Sequence, residues 1–289
     1  MRSRLAYVVV AHKNPSQVGR LLQQLATDRS TFLVHVDRRA GRAVHAEMRR
    51  HAAGVPRVHF LARRRCFWAG FGMVGATLDA MAYVVRTGTP ADHIVLISGQ
   101  DYPLRGAEEI ETFFGEHQDR SFISARPMHD AWKGKGFWRI DMWHRISYNK
   151  LHLRVPWQRR IPGGLAPYGG EAWMSLSAAA ARHVVDVVRA NPRLVRFFKH
   201  VLHPDEIFFH TILMNSPLRK SVVNDHLRYI DWNAPGAVDH PATLGSSDFE
   251  TLVRSQSLFG RKFDVTVDAT ILDLLDEHVR KRAAAVSGA

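Results

Sequence analysis

The most informative chemical stretch in the chain is His203-Pro204-Asp205-Glu206-Ile207-Phe208-Phe209-His210. Proline at a first helical position, followed by acids in the first turn, predicts a helix running from Asp205 to Met214. That placement alone accounts for Asp205 and Glu206. A carboxylate at a helix N-terminus bordered by apolar residues can equally serve as a general base if its pKa suits the operating pH. His203, Glu206 and His210 raise the question of a metal, but their spacing matches no zincin pattern and no metal site is expected. A second cluster, Phe259-Gly260-Arg261-Lys262-Phe263-Asp264, sets two cations between aromatics. Arg261 and Lys262 are either solvated or positive charges that neutralise a departing phosphate without a metal.

Three further polar groups follow apolar runs: His12 after Tyr7–Val10, Asp37 after Thr31–Val36, and Asp101 after His93–Gly99. In open α/β sheets, ligands bind beyond the carboxyl ends of the strands. A carboxylate after the second strand commonly holds a ribose hydroxyl, although such acids also cap the next turn. No Gly-x-Gly-x-x-Gly follows the first strand and no Gly-x-x-x-x-Gly-Lys-Ser/Thr occurs, which argues against a dinucleotide dehydrogenase and a P-loop NTPase.

The elements that must carry these groups are legible as runs and periodicities. Tyr7–Val10, Thr31–Asp37 and His93–Gly99 are continuous apolar strands of the kind buried on both faces of a parallel sheet. Val18, Leu21, Leu22 and Leu25 recur at helical spacing, as do apolar residues over Met73–Val85. The first hundred residues therefore read β-α-β-(β)-α-β, a doubly wound α/β pattern. From about Pro127 to Gly170 no clean period appears, while Trp132, Trp138, Trp143 and Trp157 crowd among Lys, Arg and His, a mixture suited to stacking on sugar rings or bases. Helices are predicted again over Ser177–Val188 and Ala269–Lys281, with a late strand at Leu227–Trp232 and a frayed tail over about 283–289.

The 289 residues fit one domain with a sizeable core. We divide it into a nucleotide-binding half, 1–125, and an acceptor-binding and catalytic half, 126–289. Lys and Arg number 40 against 27 Asp and Glu, a net charge of +13, and 32 of the cations are Arg. Such an excess favours an anionic partner. The cations are spread along the chain and no recognition motif appears, so a basic nucleic-acid-binding protein is the alternative and nucleic acid is not the expected partner. No 18-residue apolar run exists, which leaves at most peripheral membrane contact. The basic start and short apolar stretch at Met1–Val10 read as a first core strand and not a signal peptide. The single cysteine, Cys66, reads as an inert buried residue. A cytoplasmic protein of bacterial type is expected.

Several segments together resemble the core-2/I-branching enzymes, inverting β-1,6-N-acetylglucosaminyltransferases to which the peptide O-xylosyltransferases are related. They are Ala6–His12, Val34–Asp37, Trp68 with the helix after it, Ile97–Leu104, Gly169–Trp173, His203–Glu206, Leu227–Trp232 and Leu258–Asp264. The blocks stand in family order over nearly the whole chain. The resemblance implies a GT-A-type nucleotide-diphospho-sugar transferase fold with a mainly parallel sheet. It also implies a UDP-sugar donor, most often UDP-N-acetylglucosamine with UDP-xylose as the alternative, and no cofactor or divalent metal. Glu206 matches the family's base, and Lys262 matches the lysine on the donor diphosphate. Arg261, Arg254 and His240 compete for the place of a second basic residue. His12 and Asp37 match the uridine pocket, with Asp101 and Arg261 also assigned to the donor side. Glu171, Trp173 and Trp232 are assigned to substrate. The acceptor is left as a glycan, natural product or peptide.

Overall fold

A computed structural model describes residues 1–134, 136–147, 151–233 and 240–287. In chain order the strands are β1 (Leu5–Ala11), β2 (Ser30–Val36), β3 (Val58–Phe60), β4 (His93–Ser98), β5 (Asp101–Pro103), β6 (Ser121–Ile123), β7 (Arg126–Pro127), β8 (Trp143–Ser147), β9 (Leu151–Val155), β10 (Tyr168–Gly169), β11 (Met174–Ser177), β12 (Val222–Val223), β13 (Arg228–Ile230) and β14 (Phe259–Arg261). The helices are α1 (Pro15–Gln24), α2 (Gly41–His51), α3 (Gly72–Thr87), α4 (Ala107–Glu116), α5 (Trp138–Asp141), α6 (Ala178–Ala190), α7 (Pro192–Phe198), α8 (Phe208–Met214), α9 (Phe249–Arg254) and α10 (Thr270–Ser287).

Seven strands form the main sheet in the order β12-β6-β11-β4-β1-β2-β3. Four of its six pairings are parallel, and β11 runs antiparallel to both β4 and β6. The period-2 alternation of a strand explains the two cores. Leu5, Tyr7 and Val9 of β1 point into one cluster with Val18, Leu21 and Leu22 of α1, Met48 of α2, Phe114 of α4 and Leu272 of α10. Ala6 and Val8 point the opposite way, into a cluster with Val74 and Met81 of α3, Val184 of α6, Phe198 of α7 and Phe209 of α8. Helices thus cover both faces, which is why β1, β2 and β4 are apolar without interruption.

A smaller sheet, β13-β14-β5, lies at the carboxyl end of β4. In it β14 runs antiparallel to β5, with Arg261 opposite Asp101 and Gly260 opposite Tyr102. Residues from both halves of the sequence therefore share sheets: β11 and β12 complete the main one, and β14 pairs with β5. Two expectations are corrected here. The predicted helix from Asp205 is split, because Pro204–Glu206 form a separate 3-10 turn and α8 begins only at Phe208. The last helix passes its expected end at Lys281 and reaches Ser287, so most of the segment expected to fray is helical. No helix among the described residues is long and apolar enough to cross a membrane.

Candidate active site

Three adjacent parallel strands end on one rim. His12 and Lys13 follow β1, Asp37 follows β2, and Gln100 follows β4; with Ser98, the last residue of β4, they line a single cavity of about 640 Å³. Its opposite wall comes from the second half of the chain: Glu171 and Trp173, His203 to Glu206, Trp232, and Arg261 with Lys262. Every residue assigned to the site from sequence reaches this cavity except Asp101, which lies behind its wall.

Asp101 is fully buried. Its Oδ1 accepts hydrogen bonds from Arg261 Nη1 (2.6 Å) and Ser98 Oγ (2.7 Å). Arg261 Nη1 also donates to Ser98 Oγ (2.9 Å), and its guanidinium lies 4.0 Å from the centre of the Trp173 ring. Asp101 thus positions Arg261, and Trp173, itself buried, supports that cation with its ring face. Beneath them Arg228 of β13 is wholly buried, donating to the carbonyl oxygens of Leu96 (2.7 Å) and Met174 (3.4 Å), which ties the small sheet to the main one. Burial pushes the Arg228 guanidinium down to about 10, still charged at neutral pH.

Of the three groups competing for a second basic role, Arg261 and His240 line the cavity. Arg254 does not: it is exposed on α9 and pairs with Glu250 at 3.3 Å. Asp239, beside His240 in the sequence, lies outside the described residues. Lys262 is pushed below the usual lysine range by burial and by the neighbouring cations Arg261 and Lys13. Lys13 is itself held by Asp264 at 2.6 Å.

On the rim made by the strand ends, Asp37 both caps a turn and lines the cavity. Its Oδ1 accepts from the backbone N–H of Arg39 (2.9 Å) and Cys66 (3.2 Å). His12 is pushed below the ordinary imidazole range by burial and by the Lys13 charge, so it is neutral at pH 7. Cys66, expected to be buried, is only half-buried and lines the cavity, although desolvation still pushes its thiol up to about 12.

Glu206 sits at the tip of the Pro204–Glu206 turn. His203 enters that turn with φ 49, and its N–H donates to Ala69 O at 3.0 Å. Gly170 N–H donates to Glu206 O at 3.0 Å, and a Cβ at Gly170 would lie 1.7 Å from Ser124 O, so only glycine allows this approach. Burial raises the Glu206 carboxyl above the usual range, and the cation and hydrogen bond of Arg139 oppose the rise. Arg139 Nη1 meets Glu206 Oε2 at 2.5 Å, while its guanidinium stacks 4.2 Å from the centre of the Trp132 ring. Asp205 is raised by burial and by the Glu206 charge. Glu171 is raised by burial and then by Glu206, opposed by Arg261 and a hydrogen bond from the Trp232 side chain. Three carboxyls crowd one wall, so their protonation is linked.

The metal set His203–Glu206–His210 is not assembled: His210 is fully buried and its Nε2 bonds Glu171 O at 3.0 Å. Among the described residues no group of three or more His, Cys, Asp or Glu is arranged to hold a metal ion. Two side chains near Glu206 carry no signal of a role in the sequence. Arg139 lay inside the Trp-rich segment, whose rings suggested sugar stacking, whereas Trp132 stacks on Arg139. Trp68 is largely exposed on the cavity rim with its ring edge-on to His203, centroids 4.6 Å apart.

A mainly parallel seven-stranded sheet with a polar cavity along its carboxyl rim is an α/β architecture of the GT-A type. The model of one family, described as Core-2/I-Branching enzyme, matches residues 5–253. The chain belongs to that family, which is one of glycosyltransferases. Among curated proteins it is similar to "Xylosyltransferase 2" of Rattus norvegicus, 29% identical over 299 residues covering 96% of this chain and 34% of the relative. It is likewise similar to "Xylosyltransferase 2" of Canis lupus familiaris, 30% identical over 298 residues with 96% and 34% covered. "Xylosyltransferase 1" of Rattus norvegicus is 26% identical over 297 residues, with 96% and 35% covered. The chain spans about a third of the length of these relatives.

Proposed function

We propose that this protein transfers a sugar from a UDP-sugar to an acceptor hydroxyl, with inversion at the anomeric carbon and without a divalent metal. The observation that carries this reading is the shared cavity. It brings a half-buried, cation-paired carboxylate, Glu206, and two cations, Arg261 and Lys262, into one pocket floored by the ends of parallel strands. The uridine would lie along His12 and Asp37, the carboxyl ends of strands being the usual seat of a nucleotide. The diphosphate would meet Lys262 and Arg261. The acceptor oxygen attacks the anomeric carbon and gives its proton to Glu206, while the bond to UDP breaks and the leaving oxygen's charge falls to Lys262 and Arg261. The relatives' name, xylosyltransferase, favours xylose over the N-acetylglucosamine expected from the branching enzymes.

Glu206→Gln tests the base directly. Removing a positioned general base costs about 100-fold or more, so sugar transfer, or slow donor hydrolysis where water replaces the acceptor, falls by at least that factor while UDP still binds. Activity within a few-fold of wild type would remove Glu206 from this role.

A further inference from the structure

A second cavity, of about 470 Å³, opens beside the first and shares Phe67 and Gly70 with it. Its charged lining is entirely basic: Arg38, Arg63, Arg64, Arg65 and Lys199, with His144 as the remaining titratable group. Arg63 donates to the backbone oxygens of Val36 (3.3 Å), Asp37 (2.9 Å) and Gly41 (2.7 Å), and among the described residues no carboxylate pairs with it. Arg64 pairs with Asp79, Nη2 to Oδ1 at 2.8 Å. The Arg38, Arg65 and Lys199 side chains are exposed, with no hydrogen bond or ion pair to another described residue. Like charges gathered around one hollow raise its positive potential and favour an anion there.

The same segments serve the catalytic wall. His144 Nε2 bonds the carbonyl oxygen of Trp138, the residue before Arg139 (2.9 Å), and Leu202 N–H donates to Arg139 O (3.0 Å). Ala69 O holds the His203 turn that carries Glu206. The two cavities meet at Phe67 and Gly70, and Gly70 is the neighbour in sequence of Ala69, whose carbonyl oxygen holds the turn that carries Glu206.

We infer that this basic cavity binds a phosphate group carried by the sugar acceptor, an inference that rests on the transferase reading. Phosphate is favoured because two free guanidinium forks and an ammonium from separate elements suit a compact tetrahedral dianion with several acceptor oxygens. The test is calorimetric titration of the full chain, its donor site saturated with UDP, with inorganic phosphate and with galactose 1-phosphate as probes. Because it reads binding and not turnover, its outcome is separable from that of the Glu206 experiment. Both probes are expected to bind, the sugar phosphate more tightly. Arg65→Ala and Lys199→Ala, from different elements, are each expected to weaken both by roughly tenfold, while Arg282→Ala, elsewhere on the surface, leaves them unchanged. Absence of binding, or affinities that ignore both cavity substitutions, would overturn the site. Galactose 1-phosphate binding no tighter than inorganic phosphate would overturn the acceptor assignment in favour of a free-anion site. Displacement of phosphate by a polyglutamate peptide of higher affinity would overturn the phosphate chemistry.

Discussion

Glu206 is governed by two opposed influences: burial favours its neutral form, and Arg139 at 2.5 Å favours the charged one. In the proposed role Glu206 is a general base, which works only while deprotonated, so activity is expected to rise with pH through its titration. Arg139→Ala removes the partner that holds this titration down, and the carboxyl moves further up. The acidic limb of kcat/KM against pH is therefore expected to shift to higher pH, with the loss greatest on the acid side. A limb that stays in place would mean that Arg139 does not tune the base. Lys262 is the complementary residue. Hydrogen bonds to charged groups contribute about 1.5–3 kcal/mol, so Lys262→Ala should weaken UDP binding roughly 10- to 150-fold and depress turnover with it. Unchanged UDP affinity, measured by calorimetry, would refute its contact with the diphosphate.

Among the elements, the turn that carries Glu206 depends on a loop that glycine alone can build. Gly170 lets the chain between β10 and β11 pass against Ser124 and receive Glu206 O. Gly170→Ala forces a methyl group to 1.7 Å from a carbonyl oxygen, and something must shift. Overpacking of this kind costs roughly 1–3 kcal/mol or more, so a lowered denaturation midpoint is expected together with reduced transfer; wild-type stability would show that the loop has slack. The long strands were legible because apolar runs buried on two faces leave a strong signal. The Arg261–Asp101 pairing was not, since β5 and β14 are three residues each and 160 positions apart. The Asp205–Met214 helix was overextended because Pro204 and the acids are a sound helix start, yet the chain turns at Ile207, with φ −134, before α8 begins.

For the molecule as a whole, the sheet is what converts scattered residues into a site. His12, Asp37, Glu206, Arg261 and Lys262 were readable from strand ends and short motifs, Glu171 and Trp232 only through the family resemblance, and all seven share one cavity. Asp101 was misplaced by one layer: its position after β4 is as expected, but its partner Arg261 stands between it and the pocket. Arg139 gave no readable signal, because α5 is four residues long and no periodicity fixes which side chain turns inward. The +13 charge told of an anion without saying where; the structure concentrates part of it in the basic cavity beside the catalytic one. Metal-free transfer from a UDP-sugar is tested by release of UDP from UDP-xylose, UDP-N-acetylglucosamine, UDP-glucose and UDP-galactose by the purified protein in excess EDTA. Slow release from one donor, foremost UDP-xylose, undiminished by the chelator, is expected. No release from any donor, or release that EDTA abolishes and Mn²⁺ restores, would contradict it.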